Sequence, residues 1–496
     1  MGFGEAENNL GEPASKTTCH HDAPSSDPRA AFRFPGQMIE FRSEAGGQDT
    51  TRHGRHAVPE LLDLSLLSKA DQQTNGEVYT KRSNLPRATT MKPLPIFSGL
   101  ISLAAALPSS SLGTGTGTGT SKRTLSQSLC QLQTSPHPLL GCPKGTILVS
   151  PSGSGDFTSI QSAIASLPND TSSHTILVQP ANYSEQLNVT RPGPLTILGG
   201  TTFKSLLSGE NLVKVHHSAA NHDSSGKIQD NYFTSVLAVA PNMNASLTGN
   251  GPTGFDVPND TPWGSSDFRA YDMDFVNGNE GAEWSNGPAL AVNVARANGG
   301  FYGCGFYSWQ DTVFIGKLGN AYFYDCKVAG QTDFLYGFGT LYIEKSELLL
   351  RSCGGGIAAW KGANTSFENG YGVYISDSSV VAANKSIASE IYHSCPLGRP
   401  WNALHRSVFM NSYFDASILP AGYVIWSESD ARSGENTTMA VYKDYGPGWN
   451  VTALEESSKV TTVLTKEEAK EYRQPQDVFM DENGEPNWGW IDGLYL

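Results

Sequence analysis

The sequence predicts an all-β solenoid, in which short strands are wound into coils that stack on one another. Residues 301–314, FYGCGFYSWQDTVF, align with residues 323–336, FYDCKVAGQTDFLY, after a shift of 22 residues. Looser copies follow as TLYIEKSELLL, YGVYISDSSVV and RSVFMNSYFDA. A period in the low twenties that is built of short alternating strands is typical of a solenoid.

The composition agrees with this fold class. Of the 496 residues, 17% are charged and 10% are aromatic, and there are 52 Gly and 28 Pro. That balance is typical of a turn-rich, β-leaning chain. The formal net charge of -14 argues against nucleic acid as a partner, because a phosphate backbone requires clustered Lys and Arg. It does not exclude an anionic polysaccharide whose charge is masked by esterification.

The first 128 residues are predicted to lie outside the solenoid domain, which would span 129–496. Residues 1–90 lack strand or helix periodicity and are interpreted as a disordered leader, or as an over-extended gene model with translation starting at Met91. Residues 91–107, MKPLPIFSGLISLAAAL, resemble a secretory signal peptide and are too short to cross a bilayer. Residues 108–128 read as a Gly/Ser/Thr-rich linker. We therefore expect a secreted, extracellular protein with no membrane anchor.

The cysteines and the acceptor sites for glycosylation agree with export. Cys19 lies in the predicted leader, and no CxxC pair is present among the others, so a structural zinc site is not predicted. Cys304 and Cys326 are one coil apart and could form a disulfide or an unbonded interior stack. The pairing of six cysteines has fifteen solutions, which the sequence does not distinguish. Nine Asn-x-Ser/Thr acceptors add modest support for a glycoprotein: Asn169, Asn182, Asn188, Asn244, Asn259, Asn364, Asn384, Asn436 and Asn450.

Two aspartates carry the predicted chemistry. Asp311 and Asp333 are 22 residues apart, which is one coil, and stacked strands lie about 4.8 Å from each other. Two carboxylates held this close lose their protons in separate steps, so one can stay protonated while the other is ionised. Such a pair fits glycoside hydrolysis, ester hydrolysis or a calcium site, and the alternative is two surface aspartates at turns.

Several segments resemble the signatures of pectin methylesterases. WQDTV and GQTDFLYG are similar to that family's YQDTL and GxVDFIFG motifs, LGRPW to its third signature, and ANYSEQL to its GxYxE segment. The order of motifs also agrees, from about residue 145 to 450. The resemblance implies a right-handed parallel β-helix of the single-stranded, pectin-lyase-like type with a short N-terminal helix. It further implies a secreted monomer that removes methyl groups from homogalacturonan (pectin) without a metal ion or an organic cofactor.

The resemblance also assigns four catalytic roles. Asp333 would be the nucleophile, and Asp311 would be the general acid and then the general base. Arg399 would hydrogen-bond Asp333 and keep it ionised and oriented. Gln310 would donate an amide N–H to the tetrahedral oxyanion.

Two aromatic residues are assigned to substrate binding by the same resemblance. Trp401 would offer its ring to a sugar, the alternative being a Trp that is merely packed. Tyr336 stands beside the cleft where the family usually has Phe.

One departure from the family pattern bears on activity. The family's QAVAL segment supplies a second amide one coil before the QDT glutamine, but the residue 22 positions before Gln310 is Pro288. Proline donates no hydrogen bond. Asn286 or a water is the candidate replacement. A non-catalytic or weakened wall-binding β-helix is therefore retained as the alternative function, and a chain-cleaving polygalacturonase or lyase is disfavoured because its acids or bases are not visible.

Two other features are interpreted as structural. HHSAANHD, with His216, His217, His222 and Asp223, is read as a polar loop between strands rather than a metal site. Gly354–Gly356 lacks the strand-to-helix context and the lysine of a phosphate-binding loop and is read as a turn.

Overall fold

The computed structural model describes residues 125–133, 137–221, 228, 230–249, 254–258, 260–279, 287–362, 370–457, 460–481 and 483–496. The predicted leader and signal peptide lie outside these residues, as does most of the predicted linker. Helix α1 (Leu125–Gln131) overlaps the end of that linker segment.

The strands form three parallel sheets, each of which receives one strand from successive coils. Sheet I consists, in stacking order, of β1 (Ile147–Val149), β2 (His174–Val178), β5 (Leu195–Gly199), β8 (Phe268–Tyr271), β11 (Asn298–Tyr302), β14 (Asn320–Tyr324), β17 (Thr340–Glu344), β20 (Gly372–Ser376), β22 (Arg406–Met410), β24 (Thr438–Tyr442) and β25 (Thr462–Val463). Sheet II consists of β3 (Ala181–Ser184), β6 (Val213–His217), β9 (Met273–Asn277), β12 (Gly305–Tyr307), β15 (Lys327–Gly330), β18 (Glu347–Leu350), β21 (Ser379–Ala382) and β23 (Tyr413–Phe414). Sheet III consists of β4 (Leu187–Val189), β7 (Leu237–Val239), β10 (Val292–Val294), β13 (Val313–Ile315), β16 (Thr332–Gly337) and β19 (Gly356–Trp360).

The helices are short and lie between strands or near the chain end. Beyond α1 they are α2 (Ile160–Ala165), α3 (Phe203–Ser208), α4 (Met243–Ser246), α5 (Lys385–Glu390), α6 (Val451–Ser457) and α7 (Pro475–Val478), with 3₁₀ turns at Asn231–Thr234 and Glu468–Tyr472. Within the described ranges, none of these helices has the length and apolar character needed to cross a membrane.

The repeat found in the sequence is one coil of the structure. Phe301 pairs with Phe323 between β11 and β14, and Val313 pairs with Leu335 between β13 and β16. Both steps are 22 residues. The predicted fold class, a parallel β-helix with a short helix near its N-terminal end, is confirmed.

The interior of the coils is apolar and closely stacked. Phe275 and Phe306 stack with ring centroids 5.6 Å apart, and Phe306 and Phe323 with centroids 4.5 Å apart. Cys304 and Cys326 lie in this interior as free, buried thiols. Each thiol lies 3.4 Å from a backbone carbonyl oxygen to which it can donate, so the unbonded alternative describes this pair. The disulfides are Cys130–Cys142 and Cys353–Cys395.

The outer face of sheet I carries a column of tyrosines that the C-terminal segment covers. Tyr271 donates its hydroxyl proton to Asp492 at 2.7 Å, and the Asp492 N–H donates to the Tyr302 hydroxyl at 2.8 Å. Tyr322 donates to the backbone carbonyl of Tyr495 at 2.6 Å. Buried phenol groups need such partners, and the C-terminal segment supplies them.

The GxYxE-like segment has a structural role. The two carboxylate oxygens of Glu185 accept from the backbone N–H groups of Ile160 and Gln161 at 2.9 and 2.8 Å. These N–H groups belong to the first turn of α2, where helical donors lack intrahelical partners. Glu185 therefore fixes α2 against the end of the solenoid.

Replacement of Asp444 by Asn is expected to stabilise the protein at alkaline pH. Asp444 is buried; its Oδ1 accepts from the Ser412 N–H at 2.8 Å, and its Oδ2 has no hydrogen-bond partner among the described residues. Burial raises the pKa of Asp444 to about 8. Because this pKa lies above the unfolded-state value, the stabilising contribution is complete below about pH 4 and is lost as the pH rises through about 8.

Asp444→Asn should therefore raise Tm at pH 8 by about a few degrees and change it little at pH 4. Asp377→Asn, at an exposed residue in the corresponding turn after β20, is the matched control. Thermal unfolding of both variants at the two pH values checks this, and a lower Tm for Asp444→Asn at pH 8 would contradict it.

Candidate active site

Asp311 and Asp333 lie level with each other on neighbouring coils of sheet III. Asp311 precedes β13 by two residues, and Asp333 is the second residue of β16. The Asp311 N–H donates to the Thr332 carbonyl at 3.0 Å, and Gln310 pairs with Thr332. The 22-residue spacing has placed the two acids as expected. They are only 1% and 2% exposed.

Both aspartates have left-handed backbone conformations. Their φ angles are 61° for Asp311 and 47° for Asp333. Such angles are uncommon for residues other than Gly. The same conformation recurs at Asp325, Asp377 and other non-glycine residues in the turns of this fold, so it does not by itself mark the two acids as catalytic.

Arg399 binds the Asp333 carboxylate through two nitrogens of its guanidinium group. Its Nε donates to Asp333 Oδ1 at 3.0 Å and its Nη2 to Oδ2 at 2.7 Å. The Arg399 N–H in turn donates to the Ala358 carbonyl of β19 at 2.9 Å. A planar fork matched to a carboxylate fixes the orientation as well as the charge.

The glycine turn before β19 makes room for this arginine. An added Cβ at Gly355, whose φ is +102°, would lie 2.5 Å from Cζ of Arg399. The Cys353–Cys395 disulfide, with its Cα atoms 4.9 Å apart, joins the turn to the segment that leads to Arg399. Gly354 and Gly355 thus lie in a turn, as predicted, whereas Gly356 is the first residue of β19. The contact of Gly355 with Arg399 is a feature that sequence reasoning missed.

The electrostatic environment separates the two acids. Burial, and then the neighbouring Asp333 carboxylate, raise the pKa of Asp311 well above its ordinary value. Burial also raises the pKa of Asp333, but the charge and hydrogen bonds of Arg399 oppose that rise. These influences favour the proton on Asp311 and the negative charge on Asp333.

A buried lysine lies close to the pair. Lys361 follows β19, and its Nζ lies 4.1 Å from the ring centroid of Trp401 and 5.0 Å from that of Phe338. Burial lowers the pKa of Lys361 to about 8, and its charge opposes the rise in the pKa of Asp311. Trp401 is half-buried and also meets Trp426 edge-on, with centroids 5.3 Å apart. Trp401 is therefore packed on its lysine side and reaches solvent elsewhere.

The position of Pro288 agrees with the count from the sequence. The Ala289 N–H donates to the Gln310 carbonyl at 3.1 Å, which sets Pro288 level with Gln310 one coil earlier. Its own carbonyl accepts from the Asn221 N–H at 2.8 Å. Gln310 is half-buried beside Asp311. Asn286, the candidate replacement for the lost amide, lies outside the described residues.

Tyr336 differs from its expected place in the cleft wall. It is 1% exposed, in a cluster with Leu290 and Phe314, so its ring lies beneath the surface. Its hydroxyl accepts from Asn231 Nδ2 at 3.0 Å, and the same Nδ2 donates to Asp311 Oδ2 at 3.1 Å. Asn231 was missed because it lies in a 3₁₀ turn with no copy in the repeat.

Among the residues that the structure describes, no group of three or more His, Cys, Asp or Glu side chains is arranged to hold a metal ion. His216 and His217 belong to β6, so their assignment to a loop was wrong. Because successive residues of a strand point to opposite faces, the side chains of His216 and His217 lie on opposite faces of β6. His222 and Asp223 lie outside the described residues.

The arrangement as a whole suits covalent acyl transfer. The Asp333 carboxylate is oriented by Arg399, Asp311 with its raised pKa lies one coil away, and the amide side chain of Gln310 neighbours Asp311. These are the parts needed to attack an ester carbonyl, protonate its leaving alcohol and stabilise the oxyanion between them.

Comparison with known proteins finds similarity to pectinesterases. A model of the pectinesterase family matches residues 260–482. The chain is 25% identical over 287 residues to pectinesterase A of Emericella nidulans, covering 58% of this chain and 75% of that protein. It is 27% identical over 303 residues to pectinesterase 31 of Arabidopsis thaliana, covering 61% and 83%. The solved pectin methylesterase from Aspergillus niger has a TM-score of 0.54 and 23% identity over 71% of this chain and 98% of that one, a likeness of fold.

Proposed function

Since this chain belongs to the pectinesterase family, we propose that it uses Asp333 as nucleophile and Asp311 as general acid and base. The reaction is the hydrolysis of the methyl esters of pectin to pectate and methanol. The observation that carries the assignment is the Arg399–Asp333 ion pair, made through two hydrogen bonds, one coil after a second buried aspartate, Asp311, whose pKa is raised by burial and by Asp333. A merely structural pair of acids would not need that difference in protonation.

In the first half-reaction an Asp333 oxygen attacks the C6 carbonyl carbon of a methylated galacturonate. The carbonyl oxygen becomes an oxyanion, to which the Gln310 amide donates. Collapse of this intermediate breaks the bond between C6 and the methoxy oxygen. Asp311 gives its proton to that oxygen, so methanol leaves and an anhydride between Asp333 and the sugar remains.

In the second half-reaction water attacks the same C6 carbon. Asp311, now a carboxylate, takes a proton from the water, and the bond between C6 and the Asp333 oxygen breaks. Asp333 leaves as a carboxylate that the Arg399 guanidinium stabilises. Both acids return to their initial protonation states, and each step uses only these side chains and water.

The substrate is methyl-esterified homogalacturonan in the cell wall, which a secreted monomer would reach. The four proposed catalytic side chains come from a single chain, so the site needs no second subunit. The exposed part of Trp401, beside Lys361, is the proposed sugar contact, because aromatic rings with a polar neighbour suit such surfaces.

The alternative of a non-catalytic wall-binding β-helix is less favoured. Burying a charged pair costs desolvation energy that attraction repays only with good geometry. Asp333 and Arg399 have that geometry, and a binding protein would gain nothing from keeping it next to a protonated Asp311.

The test is a comparison of two products from highly methylated pectin. We expect the purified protein to release methanol without forming new reducing ends. Binding to pectin with no methanol release would support the non-catalytic alternative. New reducing ends would indicate cleavage of the sugar chain and contradict the esterase assignment.

Replacement of Gly355 by Ala is expected to lower turnover by about 10²-fold, because displacement of a positioning group by about 1 Å costs that much. The added Cβ would displace the Arg399 guanidinium from Asp333. Gly153→Ala is the matched control, since Gly153 also has a positive φ, +80°, but no atom lies within 4 Å of its added Cβ. Equal kcat in the two variants would contradict the positioning role of Gly355.

A further inference from the structure

We propose that Asn231, paired with Tyr336, is a positioning residue for Asp311. The inference rests on the proposed function, in which Asp311 is the proton donor. Asn231 does not touch the reacting atoms. It acts by holding one oxygen of Asp311 so that the other faces the leaving group.

The contacts of Asn231 account for both hydrogens of its amide nitrogen. Nδ2 donates to Asp311 Oδ2 at 3.1 Å and to the Tyr336 hydroxyl at 3.0 Å. Oδ1 of Asp311 has no hydrogen-bond partner among the described residues and is buried. Oδ2 is thus held by the protein, and Oδ1 is left for the proton that passes to the leaving alcohol.

A second asparagine sets the direction in which this amide points. Asn221 Nδ2 donates to Asn231 Oδ1 at 2.6 Å, so the Asn231 nitrogen must face Asp311. The backbone N–H of Asn221 donates to the Pro288 carbonyl at 2.8 Å. Asn221 therefore ties the Asn231 amide to the neighbouring coil through the Pro288 carbonyl.

The segment that carries Asn231 is firmly held. Asp230 precedes it; its Oδ1 accepts from the N–H groups of Tyr232 and Thr248 at 2.8 and 3.0 Å, and its Oδ2 accepts from the Gly249 N–H at 2.8 Å. A buried carboxylate with three backbone donors fixes the 3₁₀ turn. Asn231 can then orient Asp311 without moving itself.

The Tyr336 hydroxyl provides the hydrogen-bond acceptor that the second N–H of Asn231 needs in this buried position. With Phe at position 336, as is usual in the family, one N–H of Asn231 would face an apolar ring and be left unpaired, which is costly at a buried site. The Tyr336 hydroxyl accepts that N–H. Asn231 and Tyr336 are therefore expected to act as a pair.

The test measures kcat, KM and the pH profile of kcat/KM for methanol release. Asn231→Ala should lower kcat by about 10–100-fold, the loss expected for one hydrogen bond to an ionisable group, with KM little changed. An N–H donor stabilises the carboxylate form, so its removal should raise the pKa of Asp311 and move the alkaline limb to higher pH. The other titratable groups that face Asp311 are Asp333 and Tyr336 of β16, Lys361 after β19, and Arg399, and all remain.

Tyr336→Phe should give a smaller loss and a shift in the same direction, and the double variant should lose less than the product of the two single losses. Asn384→Ala is the matched control, since Asn384 caps the exposed helix α5, and its kinetics should equal those of the wild type. If Asn231→Ala does not fold, Tyr336→Phe decides, because it removes only a hydroxyl.

An alkaline limb that stays in place in a folded Asn231→Ala or Tyr336→Phe would overturn the inference, even if kcat fell. That result leaves the proposed function standing as long as the wild type releases methanol and Asp311→Asn does not. Loss of the proposed function would be seen instead as a wild type that releases no methanol.

Discussion

Asp333→Asn is expected to abolish methanol release from methylated pectin and to leave the β-helix folded. The amide keeps the size of the carboxyl group and an oxygen for the Arg399 Nε, but it has neither the charge nor the nucleophilicity to attack an ester. Removing a catalytic nucleophile costs on the order of 10⁴–10⁶ in turnover. The residual rate should therefore lie at the detection limit.

The fold should survive because Arg399 can reach water. Its side chain is 22% exposed, whereas that of Asp333 is 3% exposed. Loss of the ion pair leaves the guanidinium group partly hydrated, so we expect Tm to fall by about a few degrees. Asp170→Asn is the matched control, since the Asp170 side chain pairs with Arg191 but is itself 54% exposed; it should retain full activity. Substantial methanol release by a folded Asp333→Asn variant would remove Asp333 from the role of nucleophile.

The part of the site that could be predicted from the sequence is the part that follows the repeat. Asp311 and Asp333 are related by one coil, and a parallel ladder keeps such residues level. Arg399 could be assigned only through the LGRPW motif. Its contact with Asp333 spans 66 residues, and no periodicity relates the two.

The residues that sequence reasoning missed come from outside the repeat. Asn231 lies 80 residues from Asp311 and 105 from Tyr336, in a turn between sheets. Gly355 was predicted correctly to lie in a turn, but the sequence did not show why a glycine is needed there, which is that the Arg399 guanidinium group lies against it. Contacts of this kind depend on how loops from different coils meet, and local patterns do not contain that information.

Tyr336 and the two central cysteines show a different limit. The residues of β16 from Asp333 to Gly337 are all buried, and the pairing with β19 shifts register between Thr332 and Leu335. An irregular strand packed on both faces cannot be read by simple alternation. Cys304 and Cys326 had the spacing of a disulfide, but their thiols lie against backbone carbonyls instead.

Asp311→Asn is expected to block both the formation and the hydrolysis of the acyl-enzyme. The amide cannot protonate the departing methoxide, and it cannot accept a proton from water. Turnover of methyl esters should fall by about 10³-fold or more, since general acid–base catalysis contributes about 10²–10⁴-fold in each step. Tm should not fall, because the change removes an acid that burial and Asp333 both disfavour in its charged form.

A better leaving group separates the two roles of Asp311. The trifluoroethyl ester of the same polymer has a larger but more acidic alcohol, which departs without full protonation. With Asp311→Asn we expect a burst of one trifluoroethanol per enzyme, followed by near arrest, because the acyl-enzyme on Asp333 can form but lacks the base for its hydrolysis. Quenched samples followed by fluorine NMR, and mass analysis of the peptide that contains Asp333, measure the burst and the adduct. Asp333→Asn, the control, should show neither. Steady release with no burst would mean that hydrolysis of the acyl-enzyme does not depend on Asp311, and a wild-type rate with the methyl ester would rule out the two-acid mechanism.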